Sequence, residues 1–256
     1  LCPRGQFAPV GSLTHYRFLE EQGVLGDYHL LLAHKVLEDP DGWIDLYRRI
    51  REQGREPFVI MDNSLIELGR PLQAPALAEA SRIVDASCLV LADVLSNRRA
   101  TVELSVAMHY ELRKMKEVPP FLAVVQGASY EDALLCAEEL ASLEGVRYLS
   151  IPRVVADTMG TRKHLVKEVY RRHQLPIHLL GFSEDMADDI MCTSLPGVMG
   201  IDSAVPLRMG LAGVAWGPHR KTPPRPKNFL DSKDVNVLMV ENTVEVRKAI
   251  GPQEAT

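Results

Sequence analysis

Short, continuously apolar runs alternate with amphipathic segments almost from end to end of the chain. The runs are FAPVG (7–11), YHLLLA (28–33), PFVIMD (57–62), CLVLAD (88–93), FLAVVQG (121–127), RYLSI (147–151), IHLLGF (177–182) and VMGID (198–202). Each is brief and rich in Val, Ile and Leu, the pattern of parallel strands buried on both faces. Between them lie helical patterns at 40–54, 75–86, 98–115, 130–143 and 161–173; in the first, Trp43, Ile44, Tyr47 and Ile50 recur at helical spacing. Residues 13–23 predict a short helix closed by glycine. Ser183, followed by Glu184 and Asp185, reads as the N-cap and first turn of a helix running to Cys192. A last helix spans about 231–250. Some eight β units alternating with helices, with no break in composition, predict an α/β fold: one domain over 1–256, a closed (β/α)8 barrel. The barrel occupies about 7–215, and a basic arm with the terminal helix about 216–250. An open doubly wound sheet is the rival, but neither G-x-G-x-x-G nor a P-loop follows an early strand.

Barrels of this kind build their sites at the carboxyl ends of the strands, and those ends are polar here. The third predicted strand finishes on Asp62, the fourth on Asp93, the fifth on Gln126 and the last on Asp202. Taken singly, each is a helix cap or turn residue as readily as a functional group. Four in the same relative position predict a shared mouth. Three carboxylates there suit acid–base chemistry or nucleophilic attack, and oxygen ligation of a divalent metal stays open. His29, His34, His178 and His219 are scattered, with no H-x-H or H-E-x-x-H, and read as core or surface histidines rather than metal ligands.

Composition narrows the classes further. Four cysteines, Cys2, Cys88, Cys136 and Cys192, form no C-x-x-C pair, which predicts reduced, mostly buried thiols rather than a metal knuckle. No run approaches the roughly 20 apolar residues of a membrane span, and no signal peptide opens the chain, so a cytoplasmic protein without a membrane partner is expected. The chain begins at Leu1, which leaves a start further upstream open. A net charge of −5 does not announce nucleic-acid binding, which needs only a local basic surface. Arg48, Arg49 and Arg51, like Arg171, Arg172 and His173, read as solvated helix faces. The stretch HRKTPPRPKNF (219–229) is proline-rich and basic and reads as an extended arm.

In order, the motifs resemble those of the tRNA-guanine transglycosylase family, whose members exchange guanine for a 7-deazaguanine on a (β/α)8 barrel. FAPVGS (7–12) is similar to the family's FMPVGT, and DYHLLL (27–32) to NTYHL. MDNSLIE (61–67) loosely matches TDSGGFQ, ADVLSN with Asp93 matches DECTP, and VVQGA (124–128) matches VQGG. LLGFSEDM (179–186) is similar to LMGVG-x-x-E-D, and IDSAVPLR (201–208) to FDCVLPTR. The resemblance covers about residues 7–210.

It implies that Asp202 is a nucleophile attacking the ribose anomeric carbon and Asp62 a general acid/base. Asp93 and Gln126 would hydrogen-bond the guanine edge, with Gly127, Leu180, Gly181, Asn63, Ser64 and Arg208 also at the substrate. No metal or cofactor is implied. Two pocket motifs depart from the family: its glycine pair after the sixth strand is Ile151-Pro152-Arg153 here, and its Gly-Gly-Phe is Ser64-Leu65-Ile66. The family's C-terminal C-x-C-x-x-C…H zinc cluster is absent, so the chain most resembles the short, zinc-free branch of phages and bacterial islands that modifies DNA. Arg153, His219, Arg220, Lys221, Arg225 and Lys227 are then the expected nucleic-acid contacts, on a nucleotide flipped out of its stack. The implied partners are DNA and a 7-deazaguanine base, with a homodimer or helper proteins. The same exchange on tRNA with a partner subunit, and a non-catalytic nucleic-acid-binding barrel, are the alternatives.

Overall fold

The structure, a computed structural model, describes residues 5–183 and 185–251, with 156 and 157 described in backbone only. Eight parallel strands form one sheet: β1 (Gln6–Pro9), β2 (Tyr28–Leu32), β3 (Phe58–Asp62), β4 (Cys88–Val90), β5 (Phe121–Val124), β6 (Val146–Pro152), β7 (Ile177–Leu180) and β8 (Val198–Ser203). The helices are α1 (Leu13–Glu21), α2 (Ala33–Glu38), α3 (Pro40–Glu52), α4 (Leu65–Leu68), α5 (Ala74–Val84) and α6 (Arg98–Arg113). Then come α7 (Tyr130–Ala141), α8 (Val154–Met159), α9 (Lys163–His173), α10 (Met186–Thr193), α11 (Val205–Leu211) and α12 (Val237–Ile250). Among the described residues, no helix is long and apolar enough to cross a membrane.

Strand order runs β1-β8-β7-β6-β5-β4-β3-β2, a nearly closed (β/α)8 barrel with β1 and β2 at the two ends of the order. Those two strands lie side by side. Pro9 in β1 has no N–H to give, and the Tyr16 hydroxyl from α1 sits in the seam, 2.6 Å from the Pro9 carbonyl and 2.9 Å from that of Leu30. Its single proton serves one carbonyl at a time.

Side chains that alternate along the strands sort into two apolar layers. One fills the barrel, with Ala8, Tyr28, Leu30, Ile60, Val90 and Met199 among its members; the other packs the outer strand faces against the helices. The floor is aromatic: Tyr28 stacks on Phe58 at 5.7 Å, and Phe58 meets Tyr148 edge-on at 5.4 Å. Cys88, Cys136 and Cys192 are buried, as expected, while Cys2 lies outside the described residues.

Three expectations are corrected. Asp185, not Ser183, caps α10: its side chain accepts from the Asp188 N–H at 3.1 Å, while Ser183 turns to Asp189 (Glu184 lies outside the described residues). β4 and β5 end at Val90 and Val124, so Asp93 and Gln126 stand beyond the strands rather than at their last positions. The basic segment is no free arm, for it folds back over the mouth. Phe229 is buried against the His15 ring at 5.4 Å, Lys35 pairs with Asp231 at 2.5 Å, and Ser12 Oγ donates to the Ser232 carbonyl at 2.8 Å.

Candidate active site at the carboxyl end of the barrel

A cavity of about 580 Å³ opens at the carboxyl ends of the strands. Asp62, Asp202, Leu180, Gly181, Arg153 and Arg208 line it. What turns Asp202 inward is an irregularity in β8. Ile177 pairs with Val198, yet the next residue, His178, pairs with Gly200, so Met199 is an extra residue in the ladder. Met199 faces the barrel interior, and so does the position of the missing Gly200 Cβ, which would meet Tyr28 Cε1 at 2.7 Å. Two successive inward residues reset the alternation. Ile201 then packs outward and Asp202 points into the cavity, where strict alternation from Met199 would have reversed them.

Asp202 is held firmly on one side. Its Oδ1 accepts from His178 Nε2 at 2.9 Å and from the Gly181 N–H at 3.0 Å. Gly181 delivers that N–H from a left-handed backbone at φ 75°, where a side chain would be strained. His178 is fully buried, and its Nδ1 lies 2.7 Å from the Tyr28 hydroxyl. Oδ2 has no partner among the described residues and is left to the cavity. The result is a carboxylate with one oxygen clamped and one free.

Asp62 is shaped chiefly by its burial. Burial pushes its carboxyl up to about 8, and Glu67, Asp93 and Asp202 push the same way. One hydrogen bond opposes them, from the Ser64 N–H to Oδ2 at 2.7 Å. A carboxyl so placed is largely protonated at neutral pH and is a proton donor.

Asp93 and Gln126 are brought together, but they face each other. Gln126 Nε2 donates to Asp93 Oδ2 at 2.7 Å, and Gln126 Oε1 accepts from the Ser96 N–H at 2.9 Å, so both ends of the fully buried amide are engaged. Burial raises the Asp93 carboxyl to about 6, against the hydrogen bonds from Gln126 and Asn63. Asn63 is tied to the Leu91 carbonyl at 2.9 Å and to the Leu65 N–H at 2.9 Å, and Ser64 Oγ accepts from the His34 N–H at 3.2 Å. At Gly127 a Cβ would meet the backbone N of Ala133 at 2.5 Å, so this glycine admits the first turn of α7. Asn63, Ser64, Asp93, Gln126 and Gly127 thus stand behind the cavity wall rather than on it.

The rim is basic. Arg153, Arg208 and Arg225 all line the cavity. Arg225 pairs with Glu67 at 3.1 Å and lies 5.6 Å over the Phe229 ring; Arg208 donates to the Pro223 carbonyl. Burial lowers the Arg208 guanidinium, and Arg225 and Arg153 lower it further. His219, Arg220, Lys221 and Lys227 are exposed on the folded-back segment but do not line this cavity. Among the described residues, no group of three or more His, Cys, Asp or Glu is placed to hold a metal ion.

Behind the walls sits a fully buried ion pair, Arg162 with Asp189. Arg162 Nη1 donates to the Ile151 carbonyl at 3.1 Å, and Asp189 Oδ2 accepts from the Ser183 N–H at 2.6 Å and Oγ at 2.9 Å. The pair joins the segment after β6, which carries Arg153, to the segment after β7. Sequence reasoning missed this pair, and it missed Tyr28 and His178. The one signal for the latter two was a ring bearing a polar atom inside an otherwise apolar strand.

No protein-family model matches the chain, and no curated protein matches it in sequence.

Proposed function

We propose that this chain is a base-exchange transglycosylase that replaces guanine by a 7-deazaguanine in a polynucleotide, DNA in preference to tRNA. One observation carries the reading: a half-clamped carboxylate, Asp202, shares a cavity with a carboxyl, Asp62, that burial keeps protonated. Displacement at a sugar carbon needs that pair, a nucleophile on one side and a proton for the leaving group on the other.

In the first half-reaction, Asp202 Oδ2 forms a bond to C1′ while the C1′–N9 bond breaks. Its electrons leave with guanine, which takes the Asp62 proton. In the second, N9 of the incoming base bonds to C1′, the C1′–Oδ2 pair returns to the carboxylate, and the N9 proton goes to Asp62. Leu95 and Ile66, apolar yet about half exposed at the rim, offer faces for a flat base. Asp93 and Gln126 read the base edge only by exchanging their mutual hydrogen bond for bonds to the base. The three rim arginines suit phosphodiester oxygens flanking a flipped nucleotide.

The test is incorporation of labelled guanine into acid-precipitable DNA and, separately, into bulk tRNA. Label is expected in DNA and absent with Asp202→Ala, whose melting profile stays cooperative. Label only in tRNA transfers the chemistry to that substrate, and undiminished turnover by Asp202→Ala overturns the proposal.

A further inference from the structure

Tyr28, His178 and Asp202 form a column through the barrel, one group on each level. Tyr28 is the first residue of β2, at the floor; His178 is the second of β7; Asp202 stands near the end of β8, at the mouth. All three are buried, and the contacts along the column are 2.7 Å and 2.9 Å. The column is built at a cost to packing. Gly200 is needed because a Cβ there would lie 2.7 Å from Tyr28 Cε1 and 2.6 Å from the Gln6 carbonyl oxygen. The extra residue Met199 sets Asp202 on the same face as His178.

We infer that His178 is a positioning residue for Asp202, held by Tyr28 in the neutral form that carries its proton on Nε2. This rests on the proposed role of Asp202. The proton count follows from donor and acceptor chemistry. A carboxylate oxygen only accepts, so Nε2 carries the hydrogen. In the inferred neutral ring Nδ1 is a lone pair, and the Tyr28 hydroxyl donates to it. The Gly181 N–H is the second donor on Oδ1. With both donors on Oδ1, Oδ2 is the oxygen that bonds to C1′.

The clamp acts unequally on the two half-reactions. When Oδ2 bonds to C1′, Oδ1 becomes a neutral ester carbonyl and its hydrogen bonds weaken. When N9 of the incoming base displaces Asp202, the electron pair of the C1′–Oδ2 bond returns to the carboxylate and the two N–H groups stabilise the charge as it forms. Loss of the His178 donor therefore slows release of the sugar more than its capture. A variant without the donor accumulates the covalent adduct while turning over slowly, which a merely unfolded or loosened site does not do.

Two measurements test this, one of them independent of activity. In protein labelled with 15N-histidine, the His178 signals are expected to report a neutral ring protonated on Nε2, and Tyr28→Phe, which keeps the stack on Phe58 but removes the donor to Nδ1, is expected to shift the Nδ1 signal. An imidazolium, an Nδ1–H ring, or signals unchanged in Tyr28→Phe overturn the inference, whatever the protein catalyses. In exchange assays, His178→Phe is expected to turn over about 10–100-fold more slowly, the loss of one hydrogen bond to a charged group. More of the enzyme is then trapped on polynucleotide in denaturing gels. His178→Gln, which returns an N–H near the Nε2 position, is expected to recover much of the rate. Equal turnover in His178→Phe, or parallel loss of adduct and turnover without rescue by Gln, refutes the positioning role. Wild-type protein that shows the Nε2–H ring but neither exchange nor adduct refutes the proposed function and leaves the column standing.

Discussion

Asp62→Asn is expected to make the protein more stable, by an amount that grows with pH. The carboxyl moves from 3.8 in the unfolded chain to about 8 in the folded one, chiefly through burial, with Glu67, Asp93 and Asp202 adding to it. Between these values the native state keeps a proton that the unfolded state has lost. Stability rises with pH only where the unfolded state binds more protons, so here it falls as pH climbs from about 4 to about 8, then levels off. A displacement of about four units corresponds formally to about 5–6 kcal/mol. Relaxation of the site and water entering the cavity reduce what is realised, to about 2–4 kcal/mol. The amide carries no charge to desolvate, and its oxygen still accepts the Ser64 N–H, so the variant escapes the penalty with the local turn intact.

Urea denaturation of both proteins at about pH 4, 6, 8 and 9 measures the difference directly. The midpoints are expected to coincide at the lowest pH and to separate up to about pH 8, with equal slopes. Asp93, raised to about 6 by burial, bends both curves alike and cancels in the difference to first order. A variant no more stable than the wild type at pH 8, or a gap that ignores pH, refutes the claim that Asp62 is held protonated. Asp62 would then also fail as the proton donor, because the same desolvation underlies both. The exchange assay is expected to show the opposite trend, with Asp62→Asn inactive while more stable, the trade expected of a strained functional site.

Two further perturbations address the frame around the cavity. Asp189→Leu leaves the Arg162 guanidinium buried without its carboxylate and is expected to cost about 3–5 kcal/mol by denaturation, while the double variant Arg162→Met with Asp189→Leu recovers most of it; additive losses refute the pairing. Gly200→Ala brings a methyl group against a backbone oxygen at 2.6 Å and a ring carbon at 2.7 Å, and is expected to cost about 1–3 kcal/mol and to disturb the His178 15N signals, whereas an unchanged melt refutes the close approach.

The barrel was legible because parallel strands buried on both faces write themselves as uninterrupted apolar runs, and all eight runs became strands. Four helices were not legible: α2, α4, α8 and α11 are four to seven residues long, too short for a helical period to repeat. Asp62 and Asp202 both line the cavity, and as strand-end carboxylates both were visible in sequence. Asp93 and Gln126 stand beyond the ends of β4 and β5, and nothing in two separate motifs announces that their side chains bond each other. His178 was read as an ordinary core histidine, and its meaning depends on a partner 150 residues away and on the extra residue in β8. Only Gly200 in VMGID hinted at that irregularity, since a glycine inside a strand marks a bulge or a close approach.

Asp62 and Asp202 are supported in different ways, and that difference bears on how the cavity tolerates change. Asp62 is held by a hydrogen bond from Ser64, two residues away, in a turn at positive φ that leads into the short α4. Asp202 is held from the neighbouring strand and, through His178 and Tyr28, from the aromatic floor. Loops vary and move more readily than barrel strands. Substitutions in the rim segments, at Ile66, Leu95 or Arg153, therefore reshape the cavity without moving Asp202. Changes at Tyr28, His178 or Gly200 reach Asp202 from below while leaving the rim as it is. In the segments Ser64-Leu65-Ile66 and Ile151-Pro152-Arg153, only Ile66, Pro152 and Arg153 line the cavity, while Ser64 and Ile151 are buried. A barrel divided in this way lets the lining of its cavity change at the rim while the orientation of Asp202 stays fixed in the strands.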